Sequence, residues 1–273
     1  MNLEEKNGVQ FLTFDHLKKA GIKHGYSTKH GGISTGPYAT MNLNFGRGDL
    51  EENVLENYNI IGKALEMDSR RMCLSKQTHT TNVRVVTEAD AGNGILRPRP
   101  YDDVDGLMTN VPNLPLVTHF ADCVPLFFYD PVHQAIALSH SGWRGTVGKI
   151  GKVTIEKMQE VYGTNPADLL CGIGPSICKD CYEVSLEVAE AFRAAFSEEV
   201  CREILAPSNK RPEDETHFQL DLWKACKAAM MEAGVPEKQI EVTEYCTHCH
   251  PELFFSHRAL GEVRGGQAAF LSL

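Results

Sequence analysis

The sequence predicts an α+β fold, with mixed β-sheets in a sandwich-like arrangement and helices packed outside. Three observations carry this. The centre of the chain holds three successive segments, LPLVTHF, VPLFFYD and QAIALSH, each with the length and residue types of a buried strand. Helical apolar spacing recurs on either side, at Val54, Leu55, Tyr58, Ile61 and Leu65, and again at Val147, Ile150, Met158 and Val161. Several strands also follow one another with no helix between them, unlike a simple parallel sheet.

Taken in order, residues 24–45 are rich in Gly, Ser, Thr and Asn and predict a short strand followed by a long loop. Such a loop in a compact domain usually carries function. Asp49 and Glu52 form a capping-box pattern ahead of a helix over 50–67. Strands are predicted near 72–76 and 83–86. In QAIALSH the two-residue period puts Ile136, Leu138 and His140 on one face, so His140 points inward at the end of its strand. A helix over 146–162 stops at Gly163. LLCGIG predicts a further strand leading into the loop PSICKDCYEV. Helices near 184–196 and 219–233, and short strands near 240–243, 253–256 and 267–272, complete the chain.

With 273 residues, 42% of them hydrophobic, the chain can bury one large core, and a single domain over 1–273 is expected. The net charge of −9 argues against a nucleic-acid partner, which needs clustered Lys and Arg, and favours a small, weakly charged substrate. The N-terminal MNLEEKNGVQ lacks a signal-peptide pattern, and the apolar run Val124 to Tyr129 is too short to span a bilayer. No membrane association and a cytoplasmic location are therefore expected. The nine cysteines are read as packing, metal ligation or nucleophile before disulfide.

The candidate chemistry lies in QTHTTN (77–82), THFADCVP (118–125) and SHSGWRG (139–145). Each places a His or Cys at a strand end. The residues alone leave three readings open. His79, Cys123 and His140 could form a three-ligand zinc site with its fourth position free for water or substrate. Cys123 and His140 could instead be a metal-free Cys–His pair of a hydrolase or deamidase, with Asp122 nearby. Cys123 could also be a buried thiol among core histidines. Elsewhere, Cys178/Cys181 and Cys246/Cys249 are two CxxC pairs more than sixty residues apart, far beyond the roughly 15–20 residues of a zinc ribbon. His250-Pro-Glu252 supplies an H-x-E, but its CxxC precedes it, which excludes the nucleobase-deaminase fold signature. Arg144, in a Gly-flanked loop ahead of a helix, suits an oxyanion. Arg47, Arg258 and Arg264 are further candidates. With no Walker A loop and no G-x-G-x-x-G, nucleotide cofactors are not indicated.

The ordered segments GGISTGPYATMNLNFG, QTHTTNV, DVDGLMT, ADCVPLFFYD, SHSGWRGT, GIGPSI…CYEV and FFSHR resemble the YfiH-like family, also called the laccase-domain or polyphenol oxidase family. The similarity runs from about residue 22 to the C-terminus, and the pairing of ADC with HxGWRG is its most specific part. The resemblance implies a fold related to cytotoxic necrotizing factor-type deamidases. It implies a zinc-dependent purine nucleoside phosphorylase acting with phosphate on adenosine, inosine, guanosine and methylthioadenosine, and also deaminating adenosine. The family's zinc ligands map onto His79, Cys123 and His140. Older naming implies copper and phenol oxidation, which a single three-ligand site matches poorly. The implied partners are purine nucleosides and phosphate, in a monomer or homodimer. On this basis Cys123, His140 and Arg144 are the expected catalytic residues. Arg144, Arg47 and Arg258 would balance phosphate charge, and loop 31–45 would cover the nucleoside through Ser34, Asn42 and Asn44. The sequence departs from the family pattern at QTHT for QxHG, at HSGWRG for HAGWRG, and at Gly266-Gln267 for Gly-Arg, with Arg264 as the neighbouring replacement.

Overall fold

Alternation along the central strands determines how the layers stack. In Ala135–Ser141, Ile136 and Leu138 face one way, and Ala135 and Ala137 the other. Both faces are fully buried, so this strand must be covered on both sides. The structure, a computed structural model describing residues 1–273, meets that demand with four layers, helix, sheet, sheet and helix.

One six-stranded sheet runs in the order Ile240–Val242, Leu170–Ile173, Val124–Asp130, Ala135–Ser141, Gly106–Thr109, Val83–Val85. Its middle pairs are antiparallel and its two outer pairs parallel. The other runs Asn2–Lys6, Val9–Thr13, Lys23–Ser27, Gln267–Ser272, Leu116–Phe120, Cys73–Leu74, and only its last pair is parallel. Leu107, Phe127, Ile136 and Leu138 of the first sheet meet Leu12, Tyr26, Leu116, Phe120 and Leu271 of the second in the inter-sheet core. Outside the first sheet, Leu126, Phe128 and Ala137 pack on Ile150, Ile155 and Met158 of helix Ile150–Tyr162 and on Ala225, Ala229 and Met230 of helix Leu222–Glu232. Outside the second, Val117, Ala268 and Phe270 pack on Val54, Tyr58, Ile61 and Leu65 of helix Glu51–Leu65.

Several expectations need correction. The helix expected over 146–162 is two helices, Trp143–Val147 and Ile150–Tyr162, because Lys149 adopts a left-handed φ of 54° between them. Arg144 therefore lies in the first turn of a short helix, not in a loop ahead of one. Val161 is 41% exposed rather than on the apolar side. The capping box does not form, since Asp49 accepts from Ser34 Oγ at 2.6 Å and Asn42 Nδ2 at 3.0 Å and so organises the preceding loop. Residues 253–256 are not a strand. Gly163, with φ 74°, does end its helix.

Candidate metal centre and active site

His140 faces the inter-sheet space, as its period predicts, and its ring lies 5.4 Å from that of Phe120. The chain turns at Ala121–Cys123 between the two sheets, so Cys123 arrives beside the last residues of the neighbouring strand, where Val124 pairs with Ser141 and Pro125 with His140. His79 reaches the same point from the loop before Val83–Val85. The ligand atoms of His79, Cys123 and His140 all lie within 4.8 Å of one another, and Cys123 Sγ is 4.0 Å from His79 Nε2. These three residues could hold one metal ion.

Asp105, which is fully buried, organises this cluster. Its Oδ1 accepts from His140 Nδ1 at 2.8 Å, which leaves Nε2 of His140 free toward Cys123. The same carboxylate accepts the amides of Thr78, His79 and Thr80 at 3.0, 3.1 and 3.0 Å and the Thr80 hydroxyl at 3.2 Å. That set of amides holds His79 at a φ of 68°, a left-handed conformation unfavourable for a side chain with a Cβ. Thr80, at the usual glycine of the QxHG pattern, thus supports Asp105. Gly142 leaves room for the cluster, because a Cβ there would come within 2.7 Å of His79 Cδ2 and 3.2 Å of Cys123 Sγ.

Charge in the cluster is mutually stabilised. Burial disfavours the Cys123 thiolate, but the His140 and His79 imidazoles outweigh it and bring the thiol from its ordinary 9.0 to about 6. Burial likewise disfavours a charged His140, yet Cys123 and Asp105 hold its pKa above the usual imidazole value. Asp122 is not the third member of a Cys–His–Asp arrangement. It accepts from Thr247 Oγ1 at 2.6 Å, Ser256 Oγ at 3.1 Å and the Arg258 amide at 2.7 Å, and so ties down the closing loops. The orienting carboxylate is Asp105. Its signal in the sequence is the DVDG motif, a buried acid at a strand start.

Two cavities meet at the cluster and share His79, Ala121, Cys123 and His257. The larger, about 460 Å³, is polar and cationic, lined among others by Asn44, Lys76, Gln77, Arg47, Arg99 and Arg264. The smaller, about 240 Å³, is apolar and aromatic, with Trp143, Tyr182, Ile177 and Leu222, flanked by Arg144 and Arg258. The guanidinium of Arg144 lies 4.2 Å from the centre of the Trp143 ring, and that of Arg258 lies 5.1 Å from the Tyr182 ring. Arg258 also donates to the Glu183 carbonyl at 3.2 Å. Arg47 pairs with Glu262 at 3.3 Å.

Ser34 and Asn42 are not brought to either cavity. Both are buried, tied to Asp49 and to Asn57, whose Nδ2 donates to Ser34 Oγ at 2.9 Å and to the Asn42 carbonyl at 2.8 Å. Of the three polar contacts expected from this loop, only Asn44 reaches the polar cavity. Sequence reasoning passed over Lys76, Gln77, Arg99 and His119 in that wall. Gln77 was discoverable, because it stands in the QTHT segment, and its side chain is held by the His119 backbone at 2.7 and 2.9 Å. Arg264 is 4% exposed, and its only side-chain hydrogen bond runs from Nη1 to the Gly265 carbonyl at 2.9 Å, leaving buried Nε without a partner. Gln267, at the usual arginine position, is fully buried and donates to the Phe255 carbonyl at 2.9 Å.

The chain is 35% identical over 253 residues to the purine nucleoside phosphorylase YlmD of Bacillus subtilis (strain 168), spanning 91% of this chain and 87% of the relative. It is 31% identical over 255 residues to the adenosine deaminase RL5 of an unknown prokaryotic organism, spanning 93% and 95%. Its structure matches that of a Bacillus licheniformis hypothetical protein, YfiH, with a TM-score of 0.91 at 30% identity, over 99% and 98% of the two chains. No helix is long and apolar enough to cross a membrane. The family model described as multi-copper polyphenol oxidoreductase laccase matches residues 23–273, and the chain belongs to this YfiH-type, laccase-like family of enzymes.

Proposed function

We propose that the protein is a zinc-dependent purine nucleoside phosphorylase that also deaminates adenosine. The observation that carries the reading is the His79–Cys123–His140 cluster at the junction of a cationic cavity and an aromatic one. Relatives named for phosphorolysis and for adenosine deamination support it.

The donor set fits zinc. Two imidazoles and a thiolate are preferred zinc donors, three protein ligands leave one position open, and a carboxylate behind a ligating histidine fixes which nitrogen is presented. When bound by His79, Cys123 and His140, zinc supplies Lewis-acid polarisation at this junction. The chain's own residues do the rest. Displacement at the anomeric carbon separates the leaving purine from the attacking phosphate, and the two cavities offer different chemistry to each. Trp143 and Tyr182 provide flat apolar surface for the base. Arg264, Arg47 and Arg99 provide charge for phosphate, and Arg264 has donor capacity to spare. Asn44, in the wall of the polar cavity, would bind a ribose hydroxyl. Arg144 and Arg258 then flank the base cavity, which shifts them from the phosphate role expected from sequence. Charge building on the ribose ring is stabilised by the adjacent oxyanion.

Incubating the purified protein with adenosine tests this. Adenine and ribose-1-phosphate should form only with phosphate present, and inosine should accumulate in parallel. Adenosine cleavage to free ribose at an unchanged rate without phosphate would sink the phosphorylase reading in favour of a hydrolase.

A further inference from the structure

Four cysteines outside this site converge from two distant loops. Strands Leu170–Ile173 and Ile240–Val242 are parallel neighbours, so the loops that follow them leave the sheet side by side. Ser176 and Cys246 form an isolated parallel bridge, and the Thr247 amide donates to the Ser176 carbonyl at 3.1 Å. This register brings Cys178 and Cys181 of one loop against Cys246 and Cys249 of the other. All four Sγ atoms lie within 4.8 Å of one another, with Cys178–Cys249 at 4.0 Å and Cys181–Cys249 at 3.3 Å.

Zinc with four thiolates at about 2.3 Å requires sulfurs about 3.8 Å apart, which is close to these separations. A disulfide requires about 2.05 Å, and all nine cysteines are free thiols. Cys246 Sγ also accepts two backbone amides, from Cys178 at 3.2 Å and Cys249 at 3.4 Å. Amides aimed at one sulfur offset part of the negative charge that four thiolates would gather. Arg258 adds a positive charge near the cluster, reaching the Cys181 carbonyl at 3.5 Å.

We infer that Cys178, Cys181, Cys246 and Cys249 form a second metal site, a closed tetrathiolate that takes one zinc ion in a structural role. The 65-residue separation of the two CxxC pairs, Cys181 to Cys246, hides the site in the sequence, because the sheet rather than a short loop joins them. Its consequence is local. One loop carries Ile177 and Tyr182 and the other leads to His257 and Arg258, all of which line the smaller cavity. The ion would clamp the two walls together. The inference does not depend on which reaction the neighbouring centre performs.

The full-length His79→Ala/Cys123→Ser variant, purified under reducing conditions, isolates this site. Metal analysis should find one zinc per chain, and zinc-edge X-ray absorption should show four sulfurs at about 2.3 Å. Adding Cys181→Ser and Cys249→Ser should abolish that zinc. A zinc-free His79→Ala/Cys123→Ser chain, or a shell of nitrogen and oxygen, would overturn the inference. If the cysteine variants fail to fold, thiol labelling of the unaltered protein decides. The four cysteines should resist labelling until a chelator is added. Ready labelling without chelator, or a mass lowered by disulfide formation, would overturn it equally.

Discussion

Replacing Asp105 with Asn changes almost nothing in shape and tests whether this carboxylate organises the centre. The Asp105 carboxylate accepts five hydrogen bonds, three at Oδ2 from the Thr78 and Thr80 amides and the Thr80 hydroxyl, and two at Oδ1 from the His79 amide and His140 Nδ1. An asparagine can keep its oxygen on the Oδ2 side, where it serves three donors. Its NH₂ then confronts the His79 amide, and His140 must accept at Nδ1 and carry its proton on Nε2, the nitrogen that would otherwise face a metal. The His79 amide bond to a charged acceptor is lost at about 1.5–3 kcal/mol, and the inverted His140 bond keeps only neutral strength at a further cost of about 1 kcal/mol, so destabilisation should reach about 2.5–4 kcal/mol. Metal affinity should fall by about 10–100-fold. The pH dependence has a defined sign. Burial pushes the Asp105 pKa up, but the His140 contact and the amides outweigh it and hold it below the ordinary 3.8. Its stabilisation is therefore present above the carboxylate range and lost as pH falls through it, so the stability gap between the unaltered protein and the Asp105→Asn variant should narrow in acid. Chemical denaturation across about pH 3–7 and zinc titration against a competing chelator measure both effects. An Asp105→Asn protein with wild-type zinc affinity would refute the reasoning.

Three further outcomes follow from the same geometry. Gly142→Ala has a permissive backbone at φ −76°, so its effect is the clash with His79 and Cys123; overpacking of about 1–3 kcal/mol should cost roughly 5- to 150-fold in metal affinity with the fold intact by circular dichroism. In metal-free protein, alkylation of Cys123, taken as the difference from Cys123→Ala, should rise with a midpoint near pH 6, and a midpoint near 9 would mean that the imidazoles do not stabilise the thiolate. Arg264→Met should raise the KM for phosphate roughly 10- to 100-fold and spare that for nucleoside, whereas Trp143→Ala should raise the nucleoside KM about 5- to 100-fold. The opposite pattern would exchange the two cavities' roles.

The sandwich was legible because it rests on strong local periodicity, and the metal-site candidates because His79, Cys123 and His140 stand in the segments that carry the family resemblance. The alternation that buries Ile136 and Leu138 between the sheets also aims His140 at Cys123. What stayed hidden depends on contacts between distant segments. The DVDG motif marks Asp105 as a buried acid at a strand start but not its partner, and only the fold turns it toward His140 and Asp122 toward Thr247 and Ser256. Ser34 and Asn42 are the polar residues one expects of a binding loop, yet their partners, Asp49 and Asn57, belong to the loop's own scaffold. The N-terminal hairpin Asn2–Lys6/Val9–Thr13 did have a local signal, the Asn7-Gly8 turn with φ of 54° and 77°, but its outer strand is charged and exposed and lacks an apolar alternation to mark it.

Phosphate-dependent ribose-1-phosphate release from adenosine, followed while zinc is removed and returned to the His79–Cys123–His140 centre, tests the central claim most directly. Release should stop on chelation, resume with added zinc, and be absent from His79→Ala and Cys123→Ser proteins. Undiminished release from protein stripped of metal, or from either variant, would contradict it.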